Sequence, residues 1–311
     1  MRRLAVLPVG LLALLLALPL PAVEPGLPDE PRAVADGVWV FEGAREHFSR
    51  GNGGNIVNTG FIETDEGVVV VDPGPSLRYA QAQRDAIRRV TGRDVVRVYV
   101  THAHPDHFLG AIAYADVPVL ALEKTAATIR DDGEDLAANL YLLVGGAMAG
   151  TRPVPVQVLS GGGETTVGGR RLRLLALDGH TRADLALLDE RSGVLFAGDL
   201  AFLDRAPTTP NADIDRWLAA LDALQGLDFS LLVPGHGPAV RGPQAIAQTR
   251  DYLAWARQSL QAAAERGLDM NEAMREPLPE RFRAMGVADE EWQRTVSHLY
   301  PEIELRALPV R

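Results

Sequence analysis

A chain of 311 residues with 47% hydrophobic content can bury a large core in one or two domains, which excludes the disordered class. It has no cysteine, so disulfides and thiolate chemistry are excluded and every metal ligand must offer nitrogen or oxygen. The formal net charge of -10 argues against nucleic acid or an anionic membrane surface as partner and leaves a small-molecule substrate as the expectation.

Met1-Arg2-Arg3, an apolar run from Leu4 to Leu20 and then Pro21-Ala22-Val23 have the charged head, hydrophobic middle and small residue of an export signal. Residues 1–22 are therefore expected to be a signal peptide cleaved near Ala22, which places the mature chain in the periplasm or outside the cell. Loss of Arg2 and Arg3 takes the net charge to -12. Residues 23–35, rich in proline and acid, read as a linker. Residues 36–240 read as the main domain and 241–311 as a helical extension packed on it.

Gly37 to Gly43 reads as a strand, and Asn55 to Thr64 with Gly67 to Asp72 reads as a hairpin turned at Asp65-Glu66-Gly67. The glycine-rich loop Ser49 to Asn55 between them is a candidate flap. Pro75 and Ser76 open a helix closed by Gly92, and the largely apolar run Val95 to Val100 follows as a buried strand. Asp116 to Leu122 is a further strand. Glu123 to about Met148 reads as two helices broken near Asp132-Gly133. Strands are then expected over Val154 to Leu159, Arg171 to Leu177, Leu185 to Asp189, Val194 to Ala197 and Phe229 to Val233, with an amphipathic helix over Asp213 to Leu224. From Pro243 to Arg266 the chain is helical and alanine-rich, and the remainder holds short helical stretches. Two rounds of strands followed by helices point to a layered α/β domain.

The chemistry concentrates in Thr101-His102-Ala103-His104-Pro105-Asp106-His107, which holds three of the seven histidines. His102 and His104, two apart where a strand ends, point to one side and can share one ion. Asp106 begins a helical turn that brings His107 round to serve a second ion beside the first. Neutral imidazole and carboxylate suit zinc. Three later turns after strands carry His180, Asp199 and His236, each beside glycine that lets the backbone approach an ion.

His-x-His-x-Asp-His followed by a distant His, Asp and His resembles the metallo-β-lactamase superfamily of hydrolases over roughly Val38 to Pro238. The resemblance implies an αββα sandwich with two zincs in a cleft at one edge of the sheets. It implies that His102, His104 and His180 hold the first zinc and that Asp106, His107 and His236 hold the second, with Asp199 bridging. Asp106 also orients the attacking hydroxide, and Asp72 and Thr181 support the ligands from behind. The implied reaction is attack of a metal-bridged hydroxide on an ester, thioester or lactone carbonyl.

Asp199 stands where many true β-lactamases carry Cys or Ser, so β-lactam hydrolysis is a side expectation. Arg182, Asn55 and Asn58 are the candidate substrate contacts, with pairing to Asp184 as the alternative for Arg182. Arg45 to Phe48, Gly54 to Asn58 and Ala206 to Trp217 are similar to exported SoxH-like zinc hydrolases of sulfur-oxidation or quinoprotein pathways, which implies a periplasmic dehydrogenase pathway as partner. Two further readings accompany the hydrolase: a persulfide dioxygenase with one iron, and a metal-binding accessory protein without turnover. His47 and His298 are expected to be surface or structural, and Trp217, Trp255 and Trp292 to pack between helices.

Overall fold

The structure is a computed structural model that describes residues 26–28 and 30–307. The expected signal peptide, residues 1–22, lies outside the described residues. Among the described residues no helix is long and apolar enough to cross a membrane.

The first sheet contains β1 (Arg32–Ala35), β2 (Val38–Phe41), β3 (Thr59–Thr64), β4 (Gly67–Val71), β5 (Val95–Tyr99), β6 (Val119–Leu122) and β7 (Gln157–Leu159), hydrogen-bonded in that order. β1 occupies what the sequence suggests is linker. It pairs antiparallel with β2 through its backbone, and an edge strand with exposed or half-buried side chains needs no hydrophobic signature to do so. From β4 to β7 the strands run parallel. Their crossovers carry α1 (Leu77–Thr91), the one-turn α2 (Pro105–Phe108) and α3 (Glu123–Val144). α1 starts at Ser76, whose hydroxyl accepts from the Tyr79 N–H, and ends at Gly92 in the left-handed conformation.

α3 is one continuous helix of 22 residues and does not break at Gly133. Gly133 is buried, and a Cβ there would meet the Pro153 ring at 2.9 Å. The glycine serves close approach of a neighbouring segment, which a sequence does not distinguish from a helix break.

The second sheet has the order β13-β12-β11-β10-β9-β8, from β8 (Gly163–Val167), β9 (Arg170–Leu177), β10 (Asp184–Asp189), β11 (Val194–Phe202), β12 (Leu231–His236) and β13 (Val240–Arg241). β11 and β12 are parallel, joined by α4 (Ile214–Gln225), which Asp213 caps through the Arg216 N–H. Four helices follow: α5 (Gln244–Glu265), α6 (Met270–Met274), α7 (Glu280–Arg283) and α8 (Ala288–Ala307). α8 is longer than the short stretches expected from its sequence and continues through Pro301.

Alternation along the strands builds the layers. Val68 and Val70 face a cluster with Ile87, Ile129 and Leu140 from α1 and α3, whereas Val69 and Val71 face Leu185, Leu187 and Phe196 of the other sheet. Leu195 and Ala197 point away from that shared core into a third cluster with Trp217, Tyr252, Leu260, Trp292 and Val296. The result is helices, two sheets and helices in four layers, with α5 packed on the second sheet and α8 packed on α5. Trp255 and Trp292 pack against each other at 4.7 Å, tilted by 44°, within this outer layer, as expected of packing residues.

Candidate metal centre

The donor side chains gather at one edge where strands of both sheets come together. β4 delivers Asp72, β5 delivers His102 and His104, and α2 places Asp106 and His107 one turn later. From the second sheet, β9 leads to His180 and β12 ends in His236. Asp199 sits inside β11 and not in a turn after it. The β11–β12 register is irregular between Phe196, Gly198 and Phe202, and that irregularity aims the carboxylate out of the ladder toward the histidines.

Two groups form. Donor atoms of His102, His104, His180 and Asp199 lie within 4.8 Å of one another, as do those of Asp106, His107 and His236. His104 Nδ1 is 3.0 Å from both His102 Nε2 and His180 Nε2. Asp199 joins the groups: its Oδ1 is 3.1 Å from His107 Nε2, and its Oδ2 is 3.3 Å from His180 Nε2 and 3.4 Å from His236 Nε2. Asp106 Oδ2 lies 3.4 Å from His236 Nε2 and 3.7 Å from His107 Nε2.

For four of the histidines the second ring nitrogen is tied outward. His102 Nδ1 meets Thr101 Oγ1 at 3.0 Å, His104 Nε2 meets Asn211 Oδ1 at 3.0 Å, His107 Nδ1 meets Asp72 Oδ2 at 2.7 Å, and His236 Nδ1 donates to the Ile56 carbonyl at 2.7 Å. A donor on one nitrogen leaves a lone pair on the other, which fixes both tautomer and ring direction for a metal. Asp72 also accepts from the Thr101 N–H and hydroxyl, both at 2.8 Å, and adopts a left-handed backbone (φ 60°). Thr181 acts on the loop after His180: its N–H and hydroxyl donate to Asp184 at 2.9 and 2.7 Å.

Electrostatics agree with a cation. Burial pushes the His102 and His180 imidazoliums well below their ordinary pKa, and His104 lower too, so three neutral rings are offered. Burial opposes charge on His107 as well, yet Asp199, Asp72 and Asp106 together hold its pKa well above the ordinary value. Burial favours neutral Asp199, but the charges of His236 and His107 outweigh it and keep the carboxylate ionised. His107 Nε2 and Asp199 Oδ1 are buried without a hydrogen-bond partner. Without a metal, only a proton on His107 holds this pair together; a divalent ion between the two atoms would replace that proton and satisfy both. An all-nitrogen and oxygen set of this kind fits zinc.

Beneath the rings lies an aromatic floor. Phe202 stacks on His236 at 5.3 Å, and Trp217 meets His180 edge-on at 4.9 Å, so Trp217 positions a candidate ligand in addition to packing α4. A methyl on Gly235 would stand 1.8 Å from Asp199 Oδ1, which is why the turn at His236 carries glycine.

The candidate substrate contacts lie elsewhere. Asn58 is 5% exposed, and its amide is consumed: Nδ2 donates to the Pro234 and Gly237 carbonyls while Oδ1 accepts from the Gly43 N–H. It clamps the His236 turn. Asn55 donates to the Leu27 carbonyl, and Arg182 is exposed; none of the three lines the cavity beside the donors. Arg182 has no recorded pair with Asp184, whose oxygens Thr181 takes. The cavity, about 480 Å³, is bounded by His104, Asp106, Asp199 and His236 on one side and by Phe48, Leu136, Leu140 and Leu143 on another. His47, expected to be surface or structural, also lines it, whereas His298 is exposed. Asn211 and these walls carry no motif; only the fold brings them to the donors.

Comparison with known proteins agrees. Residues 52–236 match the family described as the metallo-beta-lactamase superfamily. The chain is 23% identical to a linear primary-alkylsulfatase of Pseudomonas sp. (strain ATCC 19151), covering 78% of this chain and 54% of that protein. It is 26% identical to the human acyl-coenzyme A thioesterase MBLAC2, covering 55% and 66%. A beta-lactamase domain protein from Burkholderia ambifaria shares the fold at TM-score 0.65 and 22% identity, over 88% of each chain. The chain spans between about half and two thirds of the length of the curated relatives it matches.

Proposed function

The chain belongs to the metallo-beta-lactamase superfamily, and on that premise we propose that it is a dinuclear zinc hydrolase of ester-type substrates, a carboxylic ester or thioester first. The observation that carries this reading is the pair of converging donor groups, one of four residues and one of three, joined by the two oxygens of Asp199. A single-iron dioxygenase would not need the second group to be complete. When bound, two such cations polarise a carbonyl and lower the pKa of water.

The rest falls to the chain's own residues. His102, His104 and His180 would hold one metal, Asp106, His107 and His236 the other, and Asp199 both. Asp72, Asn211 and the Ile56 carbonyl keep the rings pointed inward. Asp106, 4% exposed and lining the cavity, is placed to hold a proton of the attacking water and to orient it. Leu136, Leu140 and Leu143 exclude water and receive an apolar substrate portion.

Sulfate ester cleavage is the second reading, favoured by the alkylsulfatase match over 78% of the chain. Export to the periplasm is also part of the proposal and rests on the apolar run from Leu4 to Leu20; the SoxH-like likeness supports a place beside periplasmic dehydrogenases.

Metal analysis of protein folded with zinc should give about two zincs per chain, and Asp106→Ala should lower hydrolysis of a generic ester by roughly a hundredfold or more. Undiminished turnover in that variant would sink the reading. Faster turnover of dodecyl sulfate than of any carboxylic ester or thioester would replace it with the second.

A further inference from the structure

One wall of the cavity is built from side chains that the proposed chemistry leaves unused. Helix α8 carries Glu291 to a fully buried position, 0% exposed. Its Oε1 accepts from Thr208 Oγ1 at 2.9 Å and from Arg294 Nη1 at 3.0 Å, and lies 3.6 Å from the Arg205 guanidinium. Arg205 is 2% exposed. Its Nη1 donates to the Ala206 carbonyl and to Thr208 Oγ1, both at 3.2 Å, while its Nε has no hydrogen-bond partner. His47 Nδ1 is 3.7 Å from the same carboxylate, and burial pushes the pKa of this imidazole down against the pull of Glu291. The exposed Glu290 is the weakest of the charges acting on it.

Two guanidiniums against one carboxylate, with His47 neutral, leave one uncompensated positive charge. It is paired incompletely and sits at a cavity wall, since His47, Arg205, Thr208 and Arg294 all line the same space as the metal donors. A buried cation with a spare donor is costly unless an anion reaches it. The cavity of about 480 Å³ is the side from which one can come. The distance to the reacting end is short: the Arg205 guanidinium lies 5.8 Å above the Phe202 ring, and that ring stacks on His236. Arg294, with 44% of its side chain exposed, can turn its planar fork toward a carboxylate without unfolding anything.

We propose that Arg205 and Arg294 form an anion subsite, so that the substrate is an ester-type compound bearing a carboxylate remote from the scissile bond. Its apolar portion lies along Leu136, Leu140 and Leu143. The proposal rests on the hydrolase reading for the bond that is cut, but the subsite itself is a binding property shared by α8, which carries Arg294, and the loop after β11, which carries Arg205. It makes the extension part of substrate selection.

The test uses the zinc-loaded full chain, 4-nitrophenyl butyrate and the mono-4-nitrophenyl ester of glutaric acid, which differ in one terminal carboxylate. Wild type should prefer the glutarate ester, and Arg294→Gln should shrink that preference about tenfold or more through KM of the glutarate ester, the loss expected for a charge-assisted hydrogen bond. Arg294→Lys should recover part of it. Calorimetric binding of N-methylglutaramate, which is not hydrolysed, reads the subsite without turnover and should weaken about tenfold in Arg294→Gln. Binding that is absent in wild type or indifferent to Arg294, or an equal loss on both esters, overturns the subsite. If neither ester is cut while N-methylglutaramate still binds in an Arg294-dependent way, the hydrolase reading falls and the subsite stands.

Discussion

The two faces of the cavity are built by different rules. On the metal side, six donors come from strand ends and one helical turn and the seventh, Asp199, from an irregular stretch inside β11, and every orienting partner is a near neighbour in space or a clamp between the two sheets. On the opposite side, α3 supplies leucines, α8 supplies Arg294 and the loop after β11 supplies Arg205, with Glu291 of α8 buried behind the arginines. The contrast teaches where constraint lies. Metal chemistry fixes the donors within about half an ångström and so demands rigid strands behind them, while substrate recognition tolerates walls assembled from helices.

Gly235→Ala tests the rigidity of the metal side most severely. Its added methyl cannot coexist with Asp199 Oδ1 at 1.8 Å. Hydrolysis should fall by about a hundredfold and overpacking should cost about 1–3 kcal/mol, read together from turnover, zinc content and urea unfolding. Undisturbed zinc content would mean that this side yields as readily as the walls.

A smaller effect is expected where the two faces meet. Asn211 comes from the loop between β11 and α4, yet it holds His104, the least buried of the donor histidines. Asn211→Ala should weaken zinc at the first site by about tenfold in a chelator competition, the usual effect of losing an outer partner of a ligating histidine. A change in ester preference with unaltered zinc affinity would assign Asn211 to the substrate wall instead.

The mildest change concerns Asp184 behind the His180 loop. Burial raises its pKa to about 7 from an ordinary 3.8, with the Thr181 hydrogen bonds opposing. Its folded pKa is raised, so its contribution to stability is fully present below about pH 4 and is lost as pH rises to about 7. In metal-free protein the urea midpoint should therefore drop more between pH 5 and pH 8 for wild type than for Asp184→Asn. Parallel pH profiles for the two would show that this carboxyl titrates in the folded chain much as it does unfolded.

Much of the metal side was legible because its signal is local. His102, His104, Asp106 and His107 declare a strand end and a helical turn through their spacing, and His180, Asp199 and His236 sit beside glycines after apolar runs. Asp72 was legible through the resemblance, and its bonds to Thr101 and His107 supply the physical reason. The misread elements lack such a signal. Gly133 reads as a break and Asn58 as a substrate contact because each is decided by a distant partner, Pro153 and the Pro234–Gly237 turn, and Arg32–Ala35 reads as a linker because only its backbone pairs, with β2, on a sheet edge.

By itself the sequence determined the kind of chemistry. Without cysteine, with five of seven histidines and two aspartates gathered where apolar runs end, it specifies a nitrogen and oxygen metal site and a layered α/β scaffold, since ligand type and strand periodicity are properties of neighbouring residues. Only the tertiary structure decided what faces that site. Leu140 and Arg294 are 154 positions apart and meet across one cavity because α3 packs on the first sheet and α8 packs on α5, which covers the second. No local pattern encodes that meeting; it follows from how two sheets and their helices close around a shared core.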